Sequence, residues 1–147
     1  MISKNKEHIK KLNNLYNNLF KIKPYKMKDF KSPARGKYSN AYNENKIQGI
    51  YAITDPDDKI IIYIGKTNDG TKENGIADRL LVHSKNSYEL NRYRSANSIL
   101  DEYNVRTIEV KDSYFRGYAE LYGIAVFSPK ANIVSKKQIK NKLKSIN

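Results

Sequence analysis

The chain contains no cysteine. Disulfides, thiolate nucleophiles and cysteine-ligated zinc are thereby excluded, and the chain can fold in a reducing compartment. No apolar run approaches the roughly 18 residues that a bilayer-spanning helix requires. The amino-terminal stretch MISKNKEHIKKLNNLYNN lacks the apolar centre of a secretory signal, so the expected location is the cytoplasm, with no membrane partner. Acid is scarce as well: 15 Asp plus Glu stand against 28 Lys plus Arg, a formal net charge of +13. A compact fold with that excess repels itself unless an anion is close, and nucleic acid is the first partner to expect. Part of the excess is also what an AT-rich coding sequence produces, since Lys, Asn, Ile and Tyr are all abundant. The 147 residues show no internal repeat and suit a single domain with one core.

What is there begins with a helix. Apolar residues at Ile9, Leu12, Leu15, Tyr16, Leu19 and Phe20 recur every three or four positions, with Lys and Asn between them, and Pro24 ends the pattern. Residues 24–47 have little periodicity and read as a loop or irregular basic arm. Its Arg35, Lys37 and several tyrosines suit phosphate and base contact, and a solvated linker is the competing reading. Two Ile- and Tyr-rich runs, 49–54 and 59–65, flank DPDD and predict an antiparallel hairpin. Asp55, Asp57 and Asp58 serve the turn: a calcium loop needs glycine at the sixth position, where Ile60 stands. GKT at 65–67 is not a P-loop, because the earlier glycine that motif requires is again Ile60. IADRLLVHSKN predicts a helix with Arg79 and His83 sharing a face apart from the Ile76, Leu80, Leu81 stripe. A polar insertion spans 84–106, with Arg92 and Arg94 as further candidate nucleic-acid contacts and a helix expected over 95–103. RTIEVKD alternates like a third strand. A largely apolar helix stopped by Ser128-Pro129 carries one carboxylate, Glu120, and a lysine-rich tail follows from Ser135.

Taken together, Gly49-Ile50-Tyr51, then Tyr63-Ile64-Gly65 with Lys66-Thr67, Arg79 and His83 on the next helix, Glu120 on a later one, and Pro129 with Asn132 beyond it, resemble the GIY-YIG nuclease family over roughly residues 48–134. Either tripeptide alone is a weak signal; the ordered set is a strong one. The resemblance implies an α/β (α+β) domain, a three-stranded antiparallel sheet flanked by helices; the residue patterns put an amino-terminal helix and basic arm (1–47) before it and a tail (135–147) after it. It implies hydrolysis of phosphodiester bonds with one Mg2+ or Mn2+ per site.

Each residue then has an expected part beside a plainer one. Tyr51 matches a candidate general base and Tyr63 a residue lining the site; both are also good strand residues that pack a hairpin. A free phenol has a pKa near ~10, so Tyr51 needs cations such as Lys66 or Arg79 to lower it or take up its charge. Arg79 matches the catalytic arginine, whose planar fork holds two phosphate oxygens. His83 is either a proton relay or phosphate contact, or a plain surface histidine. Glu120 matches the single metal ligand, and hydrated Mg2+ needs no more than one or two carboxylates. Gly49, Gly65 and Asn132 support the site. No zinc finger, helix-turn-helix or helix-hairpin-helix module is recognisable, so the likeness is to compact restriction-type or phage-type members acting on double-stranded DNA. Cutting both strands implies a homodimer. A catalytically inactive nucleic-acid-binding module and an RNA-directed nuclease are the alternatives.

The charge excess has a direct consequence. Affinity for nucleic acid should fall steeply and linearly on a logarithmic scale as salt rises, through counterion release, in fluorescence anisotropy titrations; a flat response contradicts the electrostatic expectation.

Overall fold

The computed structural model describes residues 2–68, 74–85 and 100–132. Helix α1 runs over Ile2–Lys21 and is amphipathic: Leu12, Tyr16 and Leu19 are buried on one stripe. Lys21 in its last turn complements the negative end of the helix dipole, and Pro24 follows shortly. Then come β1 (Tyr25–Lys26), a 3-10 turn (Met27–Phe30), α2 (Asn40–Glu44), β2 (Gly49–Thr54) and β3 (Ile61–Lys66). Next are α3 (Gly75–Lys85), a second 3-10 turn (Leu100–Glu102), β4 (Asn104–Glu109) and α4 (Ser113–Phe127). Asp112 caps α4 by accepting from the Tyr114 and Phe115 N–H groups, and Ser128 ends it in the left-handed region at φ 46°. Among the described residues no helix is long and apolar enough to cross a membrane.

The sheet is antiparallel with order β1-β4-β2-β3. Four strands replace the expected three. The addition is β1, where Tyr25 and Lys26 pair with Val105 and Asn104 on the edge of β4. The 24–47 region is therefore not an irregular arm throughout. Met27 and Phe30 are fully buried beside Ala41 and Tyr42, in short elements too brief to leave a periodic trace in sequence.

Alternation along β2 sends its side chains to two cores. Ile50 and Ala52 pack with Leu12, Tyr16, Leu19 and Ile124 under α1 and α4. Tyr51 and Ile53 pack on the other face with Phe30, Ile76, Leu80 and Val105, under α3 and the first 3-10 turn. The DPDD segment is a turn, as expected. Asp55 Oδ1 accepts from the Lys59 and Ile60 N–H groups at 2.7 and 2.8 Å, and Asp58, at φ 57°, takes a bidentate ion pair from Arg106 at 2.7 and 2.6 Å. The 84–106 insertion is seen only at its ends; Arg92, Arg94, most of the 95–103 helix and the tail from Ser135 lie outside the described residues.

Buried tyrosines on both faces of the sheet make stability sensitive to alkali. Burial, the largest cause, holds the phenols of both Tyr16 and Tyr51 above the ordinary 10.0. A folded pKa raised above the unfolded one stabilises fully below the unfolded value and is lost as pH rises beyond it. Urea unfolding should therefore lose free energy above pH ~10, by up to about 1.4 kcal/mol per pH unit for each such phenol. Tyr16→Phe should make that decline shallower; an unchanged slope would remove Tyr16 from the account.

Candidate active site

The hairpin places Tyr51 directly opposite Gly65 and Ile53 opposite Tyr63. Tyr51 is wholly buried, and its ring lies across β3 at Gly65. A Cβ at position 65 would stand 2.4 Å from both the Tyr51 hydroxyl and its Cζ, and 2.8 Å from Tyr63 Cε1. Only glycine leaves room for the tyrosine. Gly49 answers to the neighbouring strand, since a Cβ there would meet the Ile108 carbonyl oxygen at 2.0 Å. The two glycines let β4, β2 and the Tyr51 ring pack at close range.

Helix α3 brings two more groups to the same hydroxyl. Its start is pinned to the segment before β2: Ile76 N–H donates to Ile47 O and Ala77 N–H to Asn45 O, both at 2.9 Å. Gly75 sits at φ +43°, where a Cβ would be 2.0 Å from that Ile47 oxygen. From this anchored turn, His83 reaches inward and its Nε2 stands 3.0 Å from the Tyr51 hydroxyl. At 6% exposure His83 is not a surface histidine. The rings of Tyr51, Tyr63 and His83 form a triangle with centroid separations of 6.0, 5.8 and 5.4 Å. Arg79, one turn earlier and at the solvent edge, stands against the Tyr51 hydroxyl, where its charge and hydrogen bond favour the phenolate.

Burial and the neighbouring Tyr63 outweigh that pull, and the Tyr51 phenol is held well above its ordinary range. Arg79 by itself therefore does not bring the Tyr51 phenol down. Lys66 turns elsewhere: it leaves β3 opposite Ile50, on the other face from Tyr51, and its Nζ donates to Asn68 Oδ1 at 2.9 Å.

Glu120 enters from α4, which packs on β2 and β3. Its charge is felt by Tyr51, Arg79 and Tyr16 alike, although it comes from the opposite layer. Three contacts set the height of α4. Tyr16 donates to the Ala119 carbonyl, its hydroxyl filling the space that a Cβ on Gly123 would take. Buried Arg116, one turn before Glu120, donates to Thr67 O and Val110 O at 2.9 Å each. Thr67 in turn exchanges two bonds of 3.1 Å with the Gly49 backbone.

Asn132 holds the free edge of β3. Its side-chain amide accepts from Ile64 N–H at 3.0 Å and donates to Ile64 O at 2.9 Å, so it pairs as a neighbouring strand would. Ala131 N–H extends the pairing to Ile62 O at 2.7 Å.

Of the sequence candidates, Tyr51, Tyr63, Arg79 and His83 meet, Glu120 acts on them through its charge, Gly49, Gly65 and Asn132 shape their frame, and Lys66 points away. Arg35 and Lys37 are exposed on a loop beside α3. Thr67, Arg116 and Tyr16 escaped notice as site supports. Nothing local distinguishes a buried arginine or threonine from a solvated one; only the long-range partners do. No family model matches the chain, and no curated protein matches it.

Gly65→Ala tests this frame. The added methyl must displace the Tyr51 ring, and overpacking of this kind costs about 1–3 kcal/mol. A urea midpoint equal to that of the parent protein would show that the ring is not confined as described.

Proposed function

We propose that the chain is a compact, divalent-metal-dependent DNA endonuclease of the GIY-YIG type, of restriction or phage kind. The observation that carries this reading is the convergence on one buried hydroxyl: His83 Nε2 at 3.0 Å from Tyr51, with Arg79 against the same atom. A structural tyrosine needs one hydrogen-bond partner, not an imidazole and a guanidinium together in a cluster that also feels a carboxylate.

The raised phenol decides how the proton moves. Tyr51 is neutral at physiological pH, so it does not act as a preformed phenolate. As water attacks phosphorus, Tyr51 takes the water's proton while its own passes to Nε2 of His83, in the tautomer whose Nε2 carries no hydrogen. The P–O3' bond then breaks, the 3' oxygen leaving with the bonding pair and taking a proton from solvent, while the phosphoryl oxygens, with their growing charge, lie against the Arg79 fork.

A metal ion fits the donors present only in one form. Among the described residues there is no group of three or more His, Asp and Glu, which disfavours zinc or a calcium cage. Glu120 alone suits a hydrated magnesium or manganese ion that keeps most of its waters. Such an ion supplies, when bound, positive charge to a phosphate oxygen and to the departing 3' oxygen. Cutting both strands of a duplex requires a second active site and hence a second copy of the chain.

The decisive assay incubates supercoiled plasmid, and RNA in parallel, with Mg2+ and the wild-type protein, with EDTA, and with two variants. Glu120→Ala should abolish cleavage with nucleic-acid binding retained, and Arg79→Ala should slow cleavage by on the order of 10^2-fold. Cleavage of RNA alone would make the chain a ribonuclease. Binding without cleavage of either would make it a binding module.

A further inference from the structure

On the far flank of α3 from Tyr51, a second surface has the character of a binding site. The loop from Ser32 to Tyr38 faces Leu81 of α3 across a cleft of about 390 Å³. Tyr38, which lines the cleft, belongs to an aromatic stack: it lies on Tyr42 with centroids 4.2 Å apart and planes 12° from parallel. The lower ring is fixed. Tyr42 is 1% exposed and donates to Asp78 Oδ1 at 2.5 Å, tying the stack to the first turn of α3. The upper ring is not covered, because Tyr38 keeps 51% of its surface in solvent. If the stack served only to close the core, Tyr38 would be the residue buried by it.

The flanks of the cleft are cationic. Gly36, at φ +79°, and the 3.0 Å bond from Lys37 N–H to Ala34 O make a tight turn that holds Arg35 and Lys37 outward. Both are exposed, and neither forms an ion pair among the described residues. Nothing lies within 4 Å of where a Gly36 Cβ would be, so a ligand can approach the backbone closely. The surface also continues towards the candidate active site. Asp78, which anchors the stack, precedes Arg79, and Val82, 63% exposed, stands on the helix between the Leu81 wall and Arg79.

We propose that this surface binds one unpaired nucleotide of the nucleic acid. The base stacks on the open face of Tyr38, and Arg35 and Lys37 hold the phosphates on either side of it. This rests on the reading of the chain as a nucleic-acid enzyme and narrows its substrate to strands that offer an unstacked base within reach of α3. A preformed aromatic face beside cations is how single strands are held without sequence preference. The rigid Tyr42 base means that little conformational freedom is lost on binding.

The test uses a single-stranded oligodeoxynucleotide of about ten nucleotides carrying 2-aminopurine, and its ribonucleotide counterpart, in EDTA so that nothing is cut. Wild-type protein should quench the 2-aminopurine on binding. Tyr38→Ala should lose the quenching and weaken binding by about tenfold, as removal of a stacking partner does, while Tyr38→Phe keeps both. Arg35→Ala and Lys37→Ala should each weaken binding and lower the salt slope by about one. Tyr38→Ala binding and quenching as the wild type does would overturn the proposal. The plasmid assay separates the two readings: quenching without cleavage sinks the nuclease and leaves the platform, and cleavage with a silent Tyr38→Ala does the reverse.

Discussion

The structure turns on a missing side chain. Tyr51 can lie across β3 only because Gly65 has no Cβ, and the hairpin register sets the two face to face. From that single overlap the rest follows: a hydroxyl held over β3 at Gly65, an imidazole on α3 positioned to meet it, and a phenol so thoroughly desolvated that it holds its proton. A one-residue slip of β2 on β3 would send Tyr51 to the α1–α4 face and dissolve the cluster.

The surroundings read as devices that keep this overlap in place. Each edge of the β2–β3 hairpin is occupied: β4 closes in over Gly49, and Asn132 caps Ile64 with both ends of its amide. The layers above and below are tied by bonds between distant residues, Tyr16 to Ala119 and Asn45 to the start of α3. Some of the positive charge is spent inside the protein. Arg106 and Arg116 are buried and act as braces, the first on Asp58 and the second on three backbone carbonyls. The exposed pairs Lys28–Glu102 and Lys31–Asp101 add little stability. Exposed lysines line α1 and several loops, and among the exposed cations Arg79 at the solvent edge and Arg35 and Lys37 on the loop lie around α3.

Much of this was legible beforehand, and the parts that were not share a cause. The hairpin, α3, β4 and α4 each carry a periodic pattern or turn residues, which are local signals. The DPDD turn was also readable, because Asp55 bonds residues four and five positions on. The fourth strand was not, since two residues have no periodicity and exist as a strand only through pairing with β4. Met27 and Phe30 sat in a stretch that read as a basic arm, yet both are core. Lys66 stood next to the right glycine but on the wrong face, a matter of strand alternation that its place in the motif obscured.

The sequence by itself determined the helices and the hairpin, the spacing of its glycines and tyrosines, and the charge excess, because these depend on residues close together along the chain. Only the tertiary structure decided which of the candidates meet, that Tyr51 is a proton-holding phenol, and that Tyr38 keeps an open face beside α3. The physical reason is that burial, electrostatic neighbourhood and ring stacking are properties of contacts between residues far apart in sequence: Tyr51 with His83, Tyr16 with Ala119, Tyr42 with Asp78. No local pattern records them, and they arise together when the layers close on the sheet.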